Sequence, residues 1–205
     1  MNYFHRNSLL NFNIINFFII FLFSFLINIY YAKFGAFPID TFLHYDSGYR
    51  ILKNEYPIKD YWIVSSFVVD FIQAIFFKIF GVNWHAYVMH SSLFNALISM
   101  FTYSFFIYLR IDRLKSLILA ICFSILAYTV SGTPFVDHHA AFFSLIATYI
   151  LIRNLTLNNK YLWFTIVFLF FLAFLSKQVP TAYIITFYSV IIGFFLYKKK
   201  KFQGN

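Results

Sequence analysis

Leu9-Leu10-Asn11-Phe12-Asn13-Ile14-Ile15-Asn16-Phe17-Phe18-Ile19-Ile20-Phe21-Leu22-Phe23-Ser24-Phe25-Leu26-Ile27-Asn28-Ile29-Tyr30 contains no Asp, Glu, Lys or Arg. As a helix rising 1.5 Å per residue, such a run reaches across the roughly 30 Å hydrocarbon core of a bilayer. Working outward, comparable apolar runs lie at about 86–109, 114–131, 137–153, 161–177 and 180–197. Short polar connectors such as Arg110–Lys115 and Arg153–Lys160 separate them. The composition agrees. Of 205 residues, 61% are hydrophobic, 25% aromatic and only 11% charged, with a mean hydropathy of +0.74. A soluble domain carries about 25% charged residues, and a chain with 32 Phe and 16 Tyr cannot stay solvated as disorder. The expected fold class is therefore all-α: a single polytopic membrane domain over 1–205, with about six transmembrane helices. Continuously apolar runs without alternation argue against a β-barrel.

The net charge of +9 becomes a statement about topology. With both termini inside, the cytoplasmic side holds Arg6, Arg110, Arg113, Lys115, Arg153, Lys160 and Lys198–Lys201 against Asp112. The outer side holds Lys33, Arg50, Lys53, Lys59, Lys78 and Lys177, balanced by Asp40, Asp46, Glu55, Asp60, Asp70 and Asp137. The whole excess lies inside, as the positive-inside rule requires. A seven-span alternative counts 61–80 as a span, but it sinks Asp70 near mid-bilayer at a cost of about 2.5–3.5 kcal/mol. Ser66, Asp70 and Gln73 share one helical face, which reads as a membrane-hugging amphipathic helix over about 62–80. No cleavage pattern of a signal peptide follows the first run. The lone thiol, Cys122, permits no intrachain disulfide and reads as a small buried apolar residue.

Most of the polar chemistry falls in the 31–85 segment, between the first two spans. It contains Phe37-Pro38-Ile39-Asp40, His44-Tyr45-Asp46-Ser47-Gly48-Tyr49-Arg50 and Asn54-Glu55-Tyr56-Pro57-Ile58-Lys59-Asp60-Tyr61-Trp62, and it ends at Phe80-Gly81-Val82. Pro38, Pro57 and Gly81 divide it into a short helix at about 46–53, a turn and the amphipathic helix. Connections this long are rare without a function.

Asp46-Ser47-Gly48-Tyr49, then Tyr56-Pro57 and Asp60-Tyr61-Trp62, then an amphipathic helix closing on Phe80-Gly81, resembles the first outer loop of GT-C membrane glycosyltransferases. The likeness is to members that use polyprenyl-phosphate mannose or arabinose, and it covers the chain loosely from the first span to the sixth. Ser47 stands where those enzymes usually carry a second acid. The resemblance implies an enzyme that transfers a sugar from a polyprenyl-phosphate donor on the outer face of a bacterial plasma membrane. Asp46 would be the catalytic base, with Asp40 a less favoured candidate. Arg50, one turn beyond Asp46 on the same face, would bind substrate phosphate. It implies no cofactor; a divalent metal is compatible with it, and no residue pattern indicates one. On the residues alone, Asp46 reads first as the N-cap of the short helix; Asp60 is either the acid closing the Pro57 turn or, as the resemblance implies, a residue shaping the sugar and acceptor site.

Two further groups face the same side. Asp137-His138-His139 follows Ser131-Gly132-Thr133-Pro134; Asp137 is either an N-cap or, with His138, a sugar- or acceptor-binding pair. Consecutive helical residues point about 100° apart, so the run alone cannot enclose a metal. Lys177 and Gln178 end the fifth span. Lys177 either snorkels or stabilises a leaving phosphate, and a Lys-Gln pair at this point is similar to GT-C sequences. The partners expected are the lipid bilayer and a polyprenyl-phosphate-linked sugar; the Lys198–Lys201 cluster reads as an anionic-lipid contact rather than a nucleic-acid site. The alternative function is a non-catalytic carrier or accessory protein that binds lipid-linked sugar, or the front part of a longer GT-C enzyme. Ion-coupled transport is disfavoured, because the span interiors carry no Asp, Glu, Lys or Arg.

Overall fold

The computed structural model describes residues 3–34, 38–63, 67–127 and 132–203, with side chains over 14–34, 40–63, 67–127 and 132–194 and at Tyr197. Ser65, Ser66 and Ser131, and the side chains of Arg6 and Lys198–Lys201, lie outside the described residues. Eight helices are present among them: α1 (Tyr3–Tyr31), α2 (Pro38–Leu52), α3 (Val68–Phe80), α4 (Trp84–Tyr108), α5 (Arg113–Ala127), α6 (Val136–Leu157), α7 (Lys160–Ser176) and α8 (Gln178–Gln203). The all-α class holds, and the six expected runs correspond to α1 and α4–α8. Among the described residues two segments are long and apolar enough to cross a membrane, Ile14–Tyr31 within α1 and all of α6. α7 and the 178–194 part of α8 are shorter apolar helices. α4 has 25 residues, but His90, Ser91, Ser92, Asn95 and Ser99 run through it.

Local chemistry sets the helix ends. Gly81 closes α3 with a φ of +82°, a conformation glycine adopts without strain. Asn83 then caps α4, its side chain accepting from the Ala86 N–H at 2.9 Å while Nδ2 donates to the Phe80 carbonyl. Asp112 Oδ1 accepts from the Leu114 and Lys115 N–H groups at the start of α5. Asn159 caps α7.

Two compact units divide the chain, one of residues 1–63 and 69–138, the other of 64–68 and 139–205. In the first, the helices carry their polarity inside out. Asn16, Ile20, Ser24 and Asn28, four residues apart along α1, are all buried, while Ile14, Phe18, Leu22 and Leu26 are exposed. α5 repeats the pattern, with Ser116, Ala120 and Ser124 inward and Leu114, Ile118 and Leu126 outward; Cys122, expected to be buried, lies on the outward side and is exposed. Between them α4 buries Ser91, Ser92, Asn95, Ser99 and Thr102.

The buried amides tie the three helices together. Asn28 Nδ2 lies 3.0 Å from the hydroxyls of both Ser91 and Ser92 and 3.1 Å from the Gly132 carbonyl. Asn95 Nδ2 donates to the carbonyls of Ser24 and Ser124, and Asn16 Nδ2 to the Tyr103 hydroxyl. Ser91 and Ser92 return their own hydroxyl protons to the Val88 carbonyl. Small side chains let the backbones approach, and the amides supply direction. Gly132 is the tightest point: its φ is +63°, and a Cβ there would sit 2.6 Å from the backbone N and Cα of Ala32.

The second unit has a mainly aliphatic interior. Ala147, Leu151, Ile166 and Phe170 form its core, lined by Trp163, Ile184, Ile185 and Tyr188. Phe164, Val167, Phe168 and Phe171 on α7, and Val179, Tyr183, Phe187 and Val190 on α8, are exposed.

Two expectations for the 31–85 segment need correction. The short helix does not begin at Asp46 but at Pro38, where a missing N–H costs nothing in a first turn. Asp46 therefore lies two turns inside α2 and is no N-cap. α3 starts at Val68 rather than about 62, and its polar stripe does not face water. Asp70 and Gln73 are buried while Phe71, Ile75 and Ile79 are exposed. Inside the unit Asp70 is paired with His44, and the Gln73 side-chain oxygen with His90.

Candidate active site

α2 presents two polar faces. Thr41, His44, Ser47 and Gly48, at helical spacing, turn inward; Asp46 and Arg50 turn outward. On the inner face His44 Nδ1 donates to Asp70 Oδ1 at 2.8 Å, with both side chains almost wholly buried. Thr41 and Thr133 hydroxyls meet at 3.3 Å, and the Tyr87 hydroxyl donates to the Thr41 carbonyl. His90 Nδ1 donates to Gln73 Oε1 at 2.9 Å, its ring stacked on Phe76. Gly48 lets α3 approach this closely, since a Cβ at that position would lie 2.9 Å from Gln73 Cγ.

On the outer face Arg50 Nε donates to Asp46 Oδ2 at 2.7 Å, one helical turn away. α2 ends two residues later, and Asn54, with a φ of +63°, turns the chain back. That turn delivers Glu55, whose Oε2 accepts from Arg50 Nη1 at 3.0 Å. The guanidinium also lies 5.3 Å from the centre of the Tyr61 ring. Hydrogen bonding and the charges of Asp46 and Glu55 raise the Arg50 pKa further, so it is a fixed cation.

Tyr61 closes the cleft from the other side. Its hydroxyl is 2.6 Å from Ser47 Oγ, and burial pushes its pKa above the usual phenol value. The hairpin carrying Tyr61 is held by Asp60, whose Oδ2 accepts from the Tyr56 N–H at 2.8 Å, and by the Ile58 N–H bonding the Tyr61 carbonyl. Leu43, Asp46, Ser47, Arg50, Tyr61, Trp62 and Ile63 line a cleft of about 290 Å³. The Asp46 side chain is 61% exposed, so a ligand in the cleft can reach it.

Of the sequence candidates, Asp46 and Arg50 come together. Asp60 braces the neighbouring turn, the reading available from the residues alone. Asp137 and His138 stand half-buried in the first turns of α6, where Phe135 lies edge-on to both the His138 and His44 rings. His139 instead packs against Phe143, and no group of three or more His, Cys, Asp or Glu side chains converges among the described residues. Lys177 belongs to the second unit, where it is the half-buried C-cap of α7 and its backbone N–H bonds the Ala173 carbonyl; Gln178 opens α8 and is exposed.

Ser47 and Tyr61 line the cleft and Glu55 bonds its Arg50, and none of the three stands out as a binding group in the sequence. The buried His44–Asp70 pair belongs to the inner face of α2. The Thr41, His44, Gly48 spacing carried a signal for the inner face, because it gives α2 a second polar stripe opposite Asp46. No family model matches the chain, and neither a curated protein nor a solved structure shows a significant likeness to it.

Proposed function

We propose that the chain is a membrane glycosyltransferase of GT-C type, with Asp46 as the base that activates an acceptor hydroxyl. The observation that carries this reading is the exposed Asp46 carboxylate at the mouth of a polar cleft, oriented by Arg50. Arg50 takes Oδ2, which leaves Oδ1 to receive a proton. The acceptor oxygen then attacks the anomeric carbon, the bond from that carbon to the phosphate oxygen breaks, and the lipid phosphate leaves with the electron pair. A carboxylate positioned in this way contributes about 10²–10⁴-fold to such a step.

The inside-out helices support the membrane part of the proposal. Large apolar side chains lie exposed along the outside of α1, α5, α7 and α8, as a lipid-facing surface requires. Buried Asn and Ser side chains join α1, α4 and α5, as helices pack in lipid. Six spans, with α2 and α3 on the outer face and both termini in the cytoplasm, fit these faces and the charge partition. A polyprenyl-phosphate-linked sugar is the donor that this setting and the resemblance imply.

Arg50 itself favours a second reading. A carboxylate held at 2.7 Å by a guanidinium suits binding as well as proton abstraction, so a non-catalytic protein that holds lipid-linked sugar has the same cleft. Reconstitution in proteoliposomes with a labelled polyprenyl-phosphate sugar separates the two. Asp46→Asn is expected to abolish transfer while the protein stays inserted. Full transfer by that variant would overturn the catalytic assignment, and no transfer by the wild-type chain would favour the binding protein.

A further inference from the structure

We infer that the Asp46–Arg50–Trp62 cleft seats one neutral pyranose ring, with the Trp62 indole as its stacking platform. This deepens the proposed function and rests on its reading of the cleft as a sugar site, but it assigns Trp62 a role and takes the phosphate away from Arg50.

Charge decides the second point. Arg50 is bonded to both Asp46 and Glu55, so its single positive charge faces two negative ones. A phosphate entering there would meet a net negative group and would have to displace a carboxylate from the guanidinium. A neutral polyol meets no such barrier. Asp46 offers an acceptor oxygen, Arg50 keeps N–H groups beyond those bonded to the acids, and the Ser47–Tyr61 hydroxyl pair adds a donor and acceptor.

Shape and surface decide the first. Trp62 is 87% exposed, yet it lines the cleft beside the charged pair. Indole is a large apolar surface, and leaving it bare costs free energy that a covering ligand recovers. Leu43 and Ile63 add further apolar surface to the lining, and Asp46, Ser47, Arg50 and Tyr61 supply its polar groups. A pyranose has the same division, with C–H bonds on its face and hydroxyls around its rim. About 290 Å³ is at the lower end of ligand-site volumes, which suits one ring and excludes a folded prenyl tail.

The competing account of Trp62 is an interfacial aromatic anchor buried among lipid headgroups. The chain has three tryptophans, Trp62, Trp84 and Trp163, so the full protein labelled with 5-fluorotryptophan gives three fluorine signals. In lipid nanodiscs, with Trp62→Phe assigning its resonance, we expect a saturable shift of the Trp62 signal on titration with methyl α-mannopyranoside, methyl α-glucopyranoside or methyl α-galactopyranoside. Inorganic phosphate should leave it unmoved. Trp62→Ala should weaken pyranoside binding, measured by calorimetry, by at least about tenfold, and Trp62→Tyr should restore most of it. A response to phosphate alone, silence towards all three pyranosides, or quenching of Trp62 by brominated lipid whether or not sugar is present would overturn the inference. Loss of transfer in Asp46→Asn with a silent Trp62 would sink this inference only. Transfer surviving Asp46→Asn alongside a sugar-dependent Trp62 signal would sink the catalytic reading and leave this one standing.

Discussion

The seam joining α1, α4 and α5 and the cleft on the outer face of α2 are both polar, and they use polarity for opposite ends. In the seam the groups are neutral, short and buried: Asn28, Asn95, Ser91, Ser92 and Ser124, with hydroxyls and backbone carbonyls as partners. Each amide nitrogen is used, while the side-chain oxygens of Asn28 and Asn95 find no partner among the described residues. In the cleft the groups are charged, long and partly solvated, and their partners are other side chains. Neutral groups in a dry interior lose little by never meeting water once bonded, whereas ions there would be costly. The seam is therefore closed to water, and the cleft open to it.

Gly132 tests the closed region hardest. A methyl group there meets the Ala32 backbone at 2.6 Å and must also adopt a left-handed φ. Nothing flexible can give way. Gly132→Ala should cost about 3 kcal/mol or more and lower the thermal unfolding midpoint in detergent, without touching the Asp46–Arg50 bond. An unchanged midpoint would mean that α1 and the 132–135 segment do not approach as described, and the contrast with the cleft would lose its sharpest member.

The His44–Asp70 pair lies between the two regimes: ionisable like the cleft, buried like the seam. His44→Leu leaves the Asp70 carboxyl buried without its imidazole and should destabilise by about 3 kcal/mol. Replacing both partners by leucine removes the need for pairing, so the double variant should recover part of that loss. Additive costs in a double-mutant cycle would show that the 2.8 Å contact does not couple the two groups.

These regions were unequally legible in the sequence. The runs that became α1 and α4–α8 needed only apolar length, a property that survives without knowledge of neighbours. Asp46 and Arg50 were legible together because a four-residue spacing on a helix fixes their separation. Asp70 and Gln73 were read as one face of one helix, correctly, but facing water. Periodicity tells which residues share a face and not what that face meets. His44 and His90, their partners, lie 26 and 17 residues away in sequence. Glu55 was hidden for a related reason, since its approach to Arg50 depends on the left-handed turn at Asn54.

Tyr61 joins the two kinds of polarity in one side chain, and its titration gives the smallest but most specific test. Its hydroxyl reaches buried Ser47 as a seam residue would, and its ring carries the Arg50 cation. Burial is the first cause of its raised pKa, with Asp70 and Asp46 adding to it and Arg50 opposing. A phenol whose pKa is higher folded than unfolded holds its proton more tightly in the native state. Its contribution to stability is thus complete below the unfolded value of about 10 and is lost as pH rises through the folded value. Tyr45 is shifted the same way by burial, so two phenols share the alkaline loss. Tyr61→Phe should leave the unfolding midpoint at neutral pH little changed and flatten its decline above pH 10. A decline as steep as in the parent chain would place the Tyr61 hydroxyl in water, and the cleft would then lose the wall that separates it from the buried face of α2.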